Sequence, residues 1–541
     1  MKKIQITLML AVVCLSGCCL VADGRNGLAE LARTEDAHVI WHGDDGKVFW
    51  NAHAERFIYP PAFAFTNRAD AAKYRFTVTD DRLVDHCFEA KEATAPLSPV
   101  WRDVPSDGFV RATCRAFSAD GRDLGVVGER RFWKAAGFEP GTYPPAKRSY
   151  AEAAAMAFEQ TLSSNVFMRR LAETGKPDRT FYFSCYPSKM HSAEIRAMLR
   201  YEKLRPDRKA DAMKLARAAA DYLLSAMQPA DAPLAYFTPT YEKGEKHADA
   251  VNSYFGQNML VYPAEAGSAF VELAVASGEK KYLDAAEKIA STYAKLQGED
   301  GTWYLKMWEK DGKPVNENRL TPMSVIVFME SLHNATGKAA YREIADRAFV
   351  FIEQRLLKDW NWEGQFEDVE PSARYHNLTK HTACSTAMYL LKRYPGDRGR
   401  IAQARELLRF AEDQFVMWTR PSRGDGRGWR TQKGPNPHNL QTDYLGWRCL
   451  PGVTEQYDWY VPIDASAAKL IRTYLALYAA EKSPLDLAKA RTLGDSITRA
   501  QRDDGSIPTH WTEWSMTHDT DWLNCHLEAA QALEMLAEIR E

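Results

Sequence analysis

Two different spacings of apolar residues divide the chain. Between residues 36 and 136, apolar and polar residues alternate in segments such as AKYRFTVTDD and GFVRATCRAF. Alternation of this kind predicts strands with one buried face, and Asp120-Gly121 between two such runs predicts a hairpin turn. Further along, the spacing becomes helical. We therefore predict a small antiparallel β-domain at 36–136, a Pro/Gly-rich linker at 137–149 and a helical domain at 150–541.

Helical apolar spacing recurs twelve times in the second part of the chain. The segments are 150–172, 190–205, 208–227, 262–276, 279–297, 321–336, 338–357, 378–393, 398–417, 463–481, 484–501 and 522–540. Three of them close with a glutamine, at Gln228, Gln297 and Gln501, and the last two continue as GEDGTW and RDDGSI. Twelve helices make six hairpins, so we predict a repeat in which each hairpin buries its apolar face against its neighbours.

An array of six helical hairpins resembles the (α/α)6-toroid superfamily, which includes glycoside hydrolases, polysaccharide lyases and sugar epimerases. The alternating region ahead of it resembles a fibronectin-type-III-like β-sandwich. The resemblance implies a multi-domain, mainly α protein in which a small antiparallel sandwich precedes a catalytic toroid that acts on carbohydrate. No family-specific catalytic signature accompanies it, so function has to be argued from individual residues.

The N-terminus has the pattern of an export signal. MKKIQITLMLAVVCLSGCC, residues 1–19, has two lysines, a short apolar run and then small residues. The segment LSGC, which ends at Cys18, resembles the bacterial lipobox, and this implies that Cys18 is acylated; a plain cleaved signal is the alternative. No later apolar run is long enough to cross a bilayer. We expect an exported lipoprotein that meets the membrane only through its lipid.

Charge and cysteines narrow the picture. A formal charge of −2 gives no overall attraction to nucleic acid, which is not an expected partner. Cys87 and Cys114 lie in neighbouring strand-like segments and are candidates for a disulfide in an oxidising compartment.

The sequence contains no HExxH, GxSxG or P-loop motif, and His376 and His381 are five residues apart, a poor match to one helical face. We expect no metal ion and no cofactor.

Long connections alternate with short ones in the helical domain. In a toroid of hairpins, alternate connections collect on one rim, and long loops there are typical of a binding face. A loop as long as the connection at 418–462 is uncommon unless it binds or covers something. The long connections are 229–261, 302–320, 358–377, 418–462 and 502–521.

Two of these loops are rich in carboxylates. A glycosidase needs one carboxylic acid to protonate the leaving oxygen and a second carboxylate to activate water or attack the sugar. In WEGQFEDVEPSARYHNLTKH, Glu367 and Asp368 are candidates for the acid. In LPGVTEQYDWYVP, Glu455 and Asp458 are candidates for the base. The alternatives are a solvated acidic turn for the first pair and a hydrogen-bonded rim for the second.

Aromatic and basic residues in the loops point to a sugar ligand. Flat rings pack well on the apolar faces of sugars, and guanidinium groups suit carboxylate or sulfate. Five basic residues lie within residues 418–433, so we prefer a uronic-acid-bearing or sulfated glycan; a charged surface loop is the alternative. The residues that we predict to contact substrate are Trp362, Tyr457, Trp459, Arg430, Trp303, Tyr186 and Lys189.

Two other functions remain open. A uronate lyase or epimerase removes the proton beside a carboxylate and needs a base and an acid, for which Tyr375, His376 and His381 are candidates. A non-catalytic glycan-binding lipoprotein would have aromatic and arginine residues in its cleft without a close pair of carboxylates. The acidic residues in two of the rim loops argue against this binding protein, and we prefer the glycoside hydrolase, with the lyase or epimerase second.

Overall fold

A computed structural model describes residues 24–40, 49–419, 450–457, 462–510 and 521–539. The predicted export signal with Cys18 lies outside the described residues. None of the described helices is long and apolar enough to cross a bilayer. These helices are α1 (Gly24–Glu35), α2 (Ser98–Trp101), α3 (Tyr150–Ser163), α4 (Val166–Thr174), α5 (Pro187–Leu204), α6 (Lys209–Ser225), α7 (Tyr262–Ser277), α8 (Lys280–Leu296), α9 (Met323–Thr336), α10 (Ala339–Phe351), α11 (Leu357–Asp359), α12 (His381–Arg393), α13 (Arg398–Phe415), α14 (Asp464–Glu481), α15 (Pro484–Ala500) and α16 (Leu523–Glu538).

Strands concentrate in the N-terminal part of the described chain. They are β1 (Arg56–Phe57), β2 (Ala62–Ala64), β3 (Lys73–Thr79), β4 (Asp85–Ala90), β5 (Thr94–Pro96), β6 (Gly108–Phe117), β7 (Asp123–Lys134), β8 (Gln257–Met259), β9 (Lys306–Trp308), β10 (Val416–Met417) and β11 (Gly452–Val453). One sheet has the order β1-β7-β6-β3-β4, and β2 pairs with β5 separately. The predicted hairpin turn is confirmed, because β6 and β7 pair across Gly121, whose φ is +85°. The predicted sandwich and the domain boundaries stay predictions.

The two cysteines of the large sheet do not pair. Cys114 on β6 lies opposite Phe76 of β3, and Cys87 on β4 lies opposite the next residue, Thr77. Successive residues of a strand point to opposite faces, so the two thiols are on different sides of the sheet. Cys114 is buried, Cys87 is exposed, and both are free. The candidate disulfide is therefore not formed.

Twelve of the described helices form two concentric rings. Helices α5, α7, α9, α12, α14 and α16 contact one another in that order, and α16 contacts α5, which closes the inner ring. Each packs against one outer helix, namely α6, α8, α10, α13, α15 and α3 respectively. The predicted (α/α)6 toroid is confirmed. Five pairs are sequential hairpins, whereas the sixth joins the last helix to the first and so closes the domain.

The repeat predicted from glutamines has a physical basis. Gln297 and Gln501 follow α8 and α15, and each donates from Nε2 to a carbonyl oxygen four residues on, at Gly301 (2.8 Å) and Gly505 (2.9 Å). Both glycines have positive φ, +85° and +90°. A Cβ on Gly301 would lie 2.2 Å from the carbonyl oxygen of Arg347, so only glycine fits this turn.

The sheet region is bound to the outer ring through buried polar groups. Arg56 of β1 donates from Nη1 to the carbonyl oxygen of Asp413 at 2.8 Å and from Nη2 to that of Val416 at 2.6 Å. In return, Asp413 Oδ1 accepts hydrogen bonds from the backbone N–H groups of Ile58 (2.6 Å) and Tyr59 (2.9 Å). These bonds satisfy carbonyl groups at the end of α13 that the helix itself leaves without partners.

Candidate active site

The long connections meet at one rim of the toroid. Each runs from an outer helix to the next inner helix, whereas the links from inner to outer helices, such as 278–279 and 482–483, are short. The rim is therefore formed around the N-terminal ends of the inner helices. Lys189, Tyr262 and His381 all lie in the first turn of an inner helix, and the loop that carries Glu367 and Asp368 lies against them.

Two adjoining cavities lie on the axis of the inner ring. The outer cavity has a volume of about 520 Å³, and its walls include Lys189, Glu367, Asp368, Glu455, His510 and Trp522. The inner cavity, about 310 Å³, lies deeper between the helices, and its walls include Lys189, Glu265, His381, Glu455, Lys469 and Arg472. Lys189, Phe366, Glu455 and Cys525 line both.

Glu367 is held as an oriented carboxylate. Its Oε1 accepts a hydrogen bond from Lys189 Nζ at 2.5 Å, and its Oε2 accepts one from the hydroxyl of Tyr262. The carbonyl oxygen of the same residue accepts from the Tyr241 hydroxyl at 2.5 Å. Burial lowers the pKa of Lys189, but the charge and hydrogen bond of Glu367, together with Cys525 and Asp368, outweigh burial and raise the pKa. With 2% of its side chain exposed, Glu367 is held in one orientation beside the outer cavity.

Asp368 follows it in the chain and has a different environment. The residue is exposed towards the outer cavity, while protein surrounds its carboxyl group on the other sides. Burial and the neighbouring Glu367 charge raise the pKa of Asp368 to about 7, with Lys189 opposing. No other residue in the described part of the chain donates a hydrogen bond to this carboxyl group. Asp368 can therefore hold a proton near neutral pH and present it to the cavity.

Glu455 lies where the two cavities adjoin. Burial raises the pKa of its carboxyl group, an effect that Lys380 and Lys189 oppose and that Glu367 reinforces. Its backbone is fixed from below by Lys380, a fully buried lysine whose Nζ donates to the carbonyl oxygens of Thr454 (2.9 Å) and Glu455 (2.7 Å). Nζ also donates to Ser466 Oγ at 2.5 Å. These three contacts hold the segment that carries Glu455, and burial lowers the pKa of Lys380 to about 7.

His381 presents a neutral imidazole in the wall of the inner cavity. Burial and the nearby charges of Lys380 and Lys469 lower its pKa well below the ordinary value. Its Nε2 is buried and has no hydrogen-bond partner among the described residues. The ring of Phe366 packs edge-on against the imidazole, at 4.7 Å between centroids. Of the predicted proton-transfer residues, the structure therefore brings Glu367, Asp368, Glu455 and His381 to one depression, together with Lys189.

Four predicted aromatic contacts to substrate require correction. Trp362 is fully buried and packs against Trp360, so its ring presents no face to a ligand. Trp303 is buried too, and its Nε1 donates to the carbonyl oxygen of Tyr293 at 2.8 Å. Tyr186 and Tyr457 are likewise buried and line neither cavity. Tryptophan and tyrosine are common packing residues, and a loop position in sequence does not distinguish a loop's core from its surface.

Two predicted members of the lyase set lie away from the cavities. The hydroxyl of Tyr375 donates to the carbonyl oxygen of Asp359 at 2.6 Å, and its ring packs near Phe49. His376 is exposed, and its backbone N–H donates to Glu363 Oε1. Neither residue lines either cavity. Tyr375 is buried in the core, and its backbone has a φ of +62°. Asp458, Trp459 and Arg430 lie outside the described residues.

Several residues of the depression were not predicted. Tyr262 fixes Glu367, and Trp522 lies at the mouth with Lys189 Nζ 4.0 Å from its ring centroid. Lys469 and Arg472 lie three apart on α14 and line the inner cavity. Their signal in the sequence is a basic pair on one face of the otherwise apolar helix AAKLIRTYLAL. Among the described residues, no cluster of three or more His, Cys, Asp or Glu is arranged to hold a metal ion.

The fold has distant likenesses among solved structures. A family 76 glycoside hydrolase from a bovine Bacteroides thetaiotaomicron strain is 11% identical, with a TM-score of 0.46, over 87% of this chain and 94% of its own. Cellobiose 2-epimerase from Spirochaeta thermophila is 15% identical, with a TM-score of 0.47, over 72% and 98%. An unsaturated glucuronyl hydrolase specific for heparin is 11% identical, with a TM-score of 0.43, over 72% and 97%. No described protein family and no curated protein matches the sequence. None of these likenesses identifies the reaction.

Proposed function

We propose that this chain hydrolyses glycosidic bonds, with Asp368 as the general acid and Glu455 as the general base. The observation that carries the proposal is that both carboxyl groups line one cavity and both have raised pKa values. A pair of carboxyl groups facing a shared space is what glycoside hydrolysis requires. Solvent supplies the water that the reaction consumes.

Asp368 is the better acid of the two predicted candidates. A carboxyl group with a pKa of about 7 keeps its proton in a large fraction of molecules near neutral pH and can pass it to the leaving oxygen. Glu367 is instead bound by Lys189 and Tyr262, which hold its carboxyl group in place. The charge of Glu367 raises the pKa of Asp368, so Glu367 adjusts the acid and does not itself act as the acid.

Glu455 is assigned the base. In the reaction the glycosidic C–O bond breaks, the Asp368 proton goes to the leaving oxygen, and water adds to the anomeric carbon while Glu455 takes its proton. Because burial raises the pKa of Glu455, its carboxylate is a stronger base than an exposed one. Lys380 holds the backbone of Glu455 and keeps the base at a fixed place in the wall.

The substrate class and the location are further parts of the proposal. The basic residues of the 418–433 loop favour a uronic-acid-bearing or sulfated glycan. The lipobox ending at Cys18 favours an exported lipoprotein, which would meet such glycans at the cell envelope or outside it. A β-elimination or epimerisation is the second candidate, and the neutral imidazole of His381 in the inner cavity favours it.

An assay with two readouts tests the proposal. The chain without residues 1–19 is incubated with neutral and acidic polysaccharides, and new reducing ends are measured together with the absorbance of unsaturated uronates. Hydrolysis gives reducing ends without absorbance. Both signals together would establish a lyase with His381 as the residue to examine, and reducing-end formation that survives in Asp368→Asn would overturn the assignment of the acid.

A further inference from the structure

The two cavities are arranged in series along the ring axis. Glu367 and Asp368 line only the outer one, Glu455 lies where they adjoin, and Lys469 and Arg472 line only the inner one. An acid that protonates the leaving oxygen from the outer side requires the departing part of the glycan to lie outward. The sugar whose anomeric carbon reacts then lies inward, beyond Glu455.

The inner cavity admits a chain only end-on. Six helices surround it, and each of them contacts both of its neighbours, so the ring has no open side through which the middle of a polysaccharide could enter. Its volume of about 310 Å³ is at the small end of the range for ligand pockets, about 300–1,000 Å³. A cavity of this size and access suits one terminal sugar residue.

The wall of the inner cavity offers a cation with spare hydrogen-bond donors. Arg472 donates from Nη2 to the carbonyl oxygen of Glu528 at 3.0 Å, and no carboxylate in the described part of the chain forms an ion pair with it. The Glu528 carboxylate is instead bound by Lys469 at 2.9 Å. Burial lowers the pKa of Arg472, and the charge of Glu528 opposes this effect without cancelling it, so the protein compensates the charge of Arg472 only in part. A planar fork of donors in such a place matches a carboxylate.

Neutral polar groups accompany this cation. Four residues of the inner wall each have a buried polar atom that finds no hydrogen-bond partner among the described residues. They are Ser192 Oγ, Ser324 Oγ, His381 Nε2 and Asn524 Oδ1. Buried polar atoms are usually paired, and a ligand with several hydroxyl groups offers such partners.

We propose that the inner cavity binds the non-reducing terminal sugar of the substrate, that this sugar is a uronate, and that Arg472 receives its carboxylate. The enzyme then removes one acidic sugar at a time from the chain end. This inference rests on the proposed hydrolysis for its catalytic consequence, but the binding of a uronate to the cavity is independent of catalysis.

The binding test uses free monosaccharides and calorimetry. Sodium glucuronate, galacturonate and mannuronate are titrated into the wild-type chain, with glucose, galactose and mannose as the neutral counterparts. At least one uronate should bind more tightly than its counterpart, and Arg472→Gln should weaken it by roughly 10- to 100-fold while leaving the neutral sugar unchanged. Arg472→Lys, which keeps the charge without the fork, should fall in between. Arg393→Gln, an arginine of α12 that lines neither cavity, is the matched control.

The catalytic test is the size of the first products on an acidic polysaccharide that is cleaved in the two-readout assay. Monosaccharide uronate from the earliest time points supports the inference, whereas mixed internal fragments overturn it and leave the proposed hydrolysis intact. Failure of every uronate to bind, or equal weakening of uronate and neutral sugar in Arg472→Gln, also overturns it. Arg472-dependent uronate binding without cleavage of any glycan would keep the subsite and overturn the proposed hydrolysis.

Discussion

Two sites in this molecule carry carboxyl groups with raised pKa values in different surroundings. At the junction between the sheet region and α13, burial raises the pKa of Asp413 to about 6, and in the outer cavity burial raises the pKa of Asp368 to about 7. Asp413 accepts hydrogen bonds from Ile58, Tyr59 and Gln414. Asp368 faces a cavity instead. A raised pKa therefore indicates only that a carboxyl group is removed from water. A carboxyl group that accepts no hydrogen bond from other residues and faces a cavity is in addition a candidate for proton transfer.

The largest expected effect separates the two groups by activity. Asp368→Asn and Glu455→Gln should each lower kcat/KM by about 10²–10⁴-fold, because each removes a proton transfer in the transition state. Asp413→Asn keeps the shape of a side chain that only holds the junction, and it should retain activity within about threefold. Initial rates on the cleaved polysaccharide, with circular dichroism to verify folding, provide the measurement. A loss of less than about tenfold in Asp368→Asn contradicts its role as the acid.

Stability should separate the groups in the opposite direction. Lys489 and Glu412 form an ion pair at 2.7 Å in the junction, and each side chain is 3% exposed. Lys489→Met leaves the Glu412 charge buried without its cation, so the free energy of unfolding should fall by about 3–5 kcal/mol. Urea denaturation followed by fluorescence measures the loss. The activity of the folded fraction should not change.

A double variant completes this test. Glu412→Gln combined with Lys489→Met removes both charges and should recover most of the stability that Lys489→Met alone loses. The hydrogen bond from Trp418 Nε1 to Glu412, at 3.0 Å, can pass to the glutamine carbonyl. Equal losses in the single and double variants would show that packing around the methylene chain of Lys489, and not the unpaired charge, determines the effect.

The helical architecture could be predicted from the sequence because it depends on spacing. Apolar residues at helical intervals and the glutamines at 297 and 501 identify the hairpins without any knowledge of contacts. Spacing does not predict which end of the chain closes the ring, because the pairing of α3 with α16 joins elements hundreds of residues apart.

The candidate site was only partly predictable. The acidic residues of the loops identified Glu367, Asp368 and Glu455 as candidates. The sequence alone does not distinguish Glu367 from Asp368, and only the hydrogen bonds to Glu367 show that this carboxyl group is held in place. Trp362 was misassigned, since a loop tryptophan can face the core as readily as the cavity. Arg472 lies within a helix, and a basic residue of a helix is expected to face solvent. Only the packing of the neighbouring helices shows that Arg472 lines a cavity.

A change of pH should reveal the coupling between the two adjacent carboxyl groups. The acid has to be protonated, so kcat/KM should fall as pH rises through about 7, the pKa of Asp368. Glu367→Gln removes the charge that raises this pKa and frees the Lys189 cation that lowers it. Both changes should move the alkaline limb of the kcat/KM profile to lower pH.

The matched control for this shift is Glu370→Gln in the same loop. The Glu370 carboxylate is bound by Lys306 at 2.9 Å, and the alkaline limb of this variant should stay in place. An unmoved limb in Glu367→Gln, or equal movement in both variants, would mean that Glu367 does not tune the acid.

The smallest expected effect is a change in melting temperature that has opposite signs for substitutions of Asp368 and Glu367. The pKa of Asp368 in the folded chain, about 7, lies above its ordinary value of 3.8, so its stabilising contribution is complete below about pH 4 and is lost as pH rises through 7. Asp368→Asn resembles the protonated form and should raise the melting temperature at pH 8, by less than about 2 °C because the group is exposed to the cavity. The gain should disappear near pH 4.

Glu367→Gln instead removes the partner of Lys189 and should lower the melting temperature at pH 8. Two adjacent substitutions would then act in opposite directions, as expected if Glu367 is held by its partners while burial and the Glu367 charge disfavour the ionised form of Asp368. A lower melting temperature for Asp368→Asn at pH 8 would mean that its carboxylate stabilises the fold and is no reserve of protons.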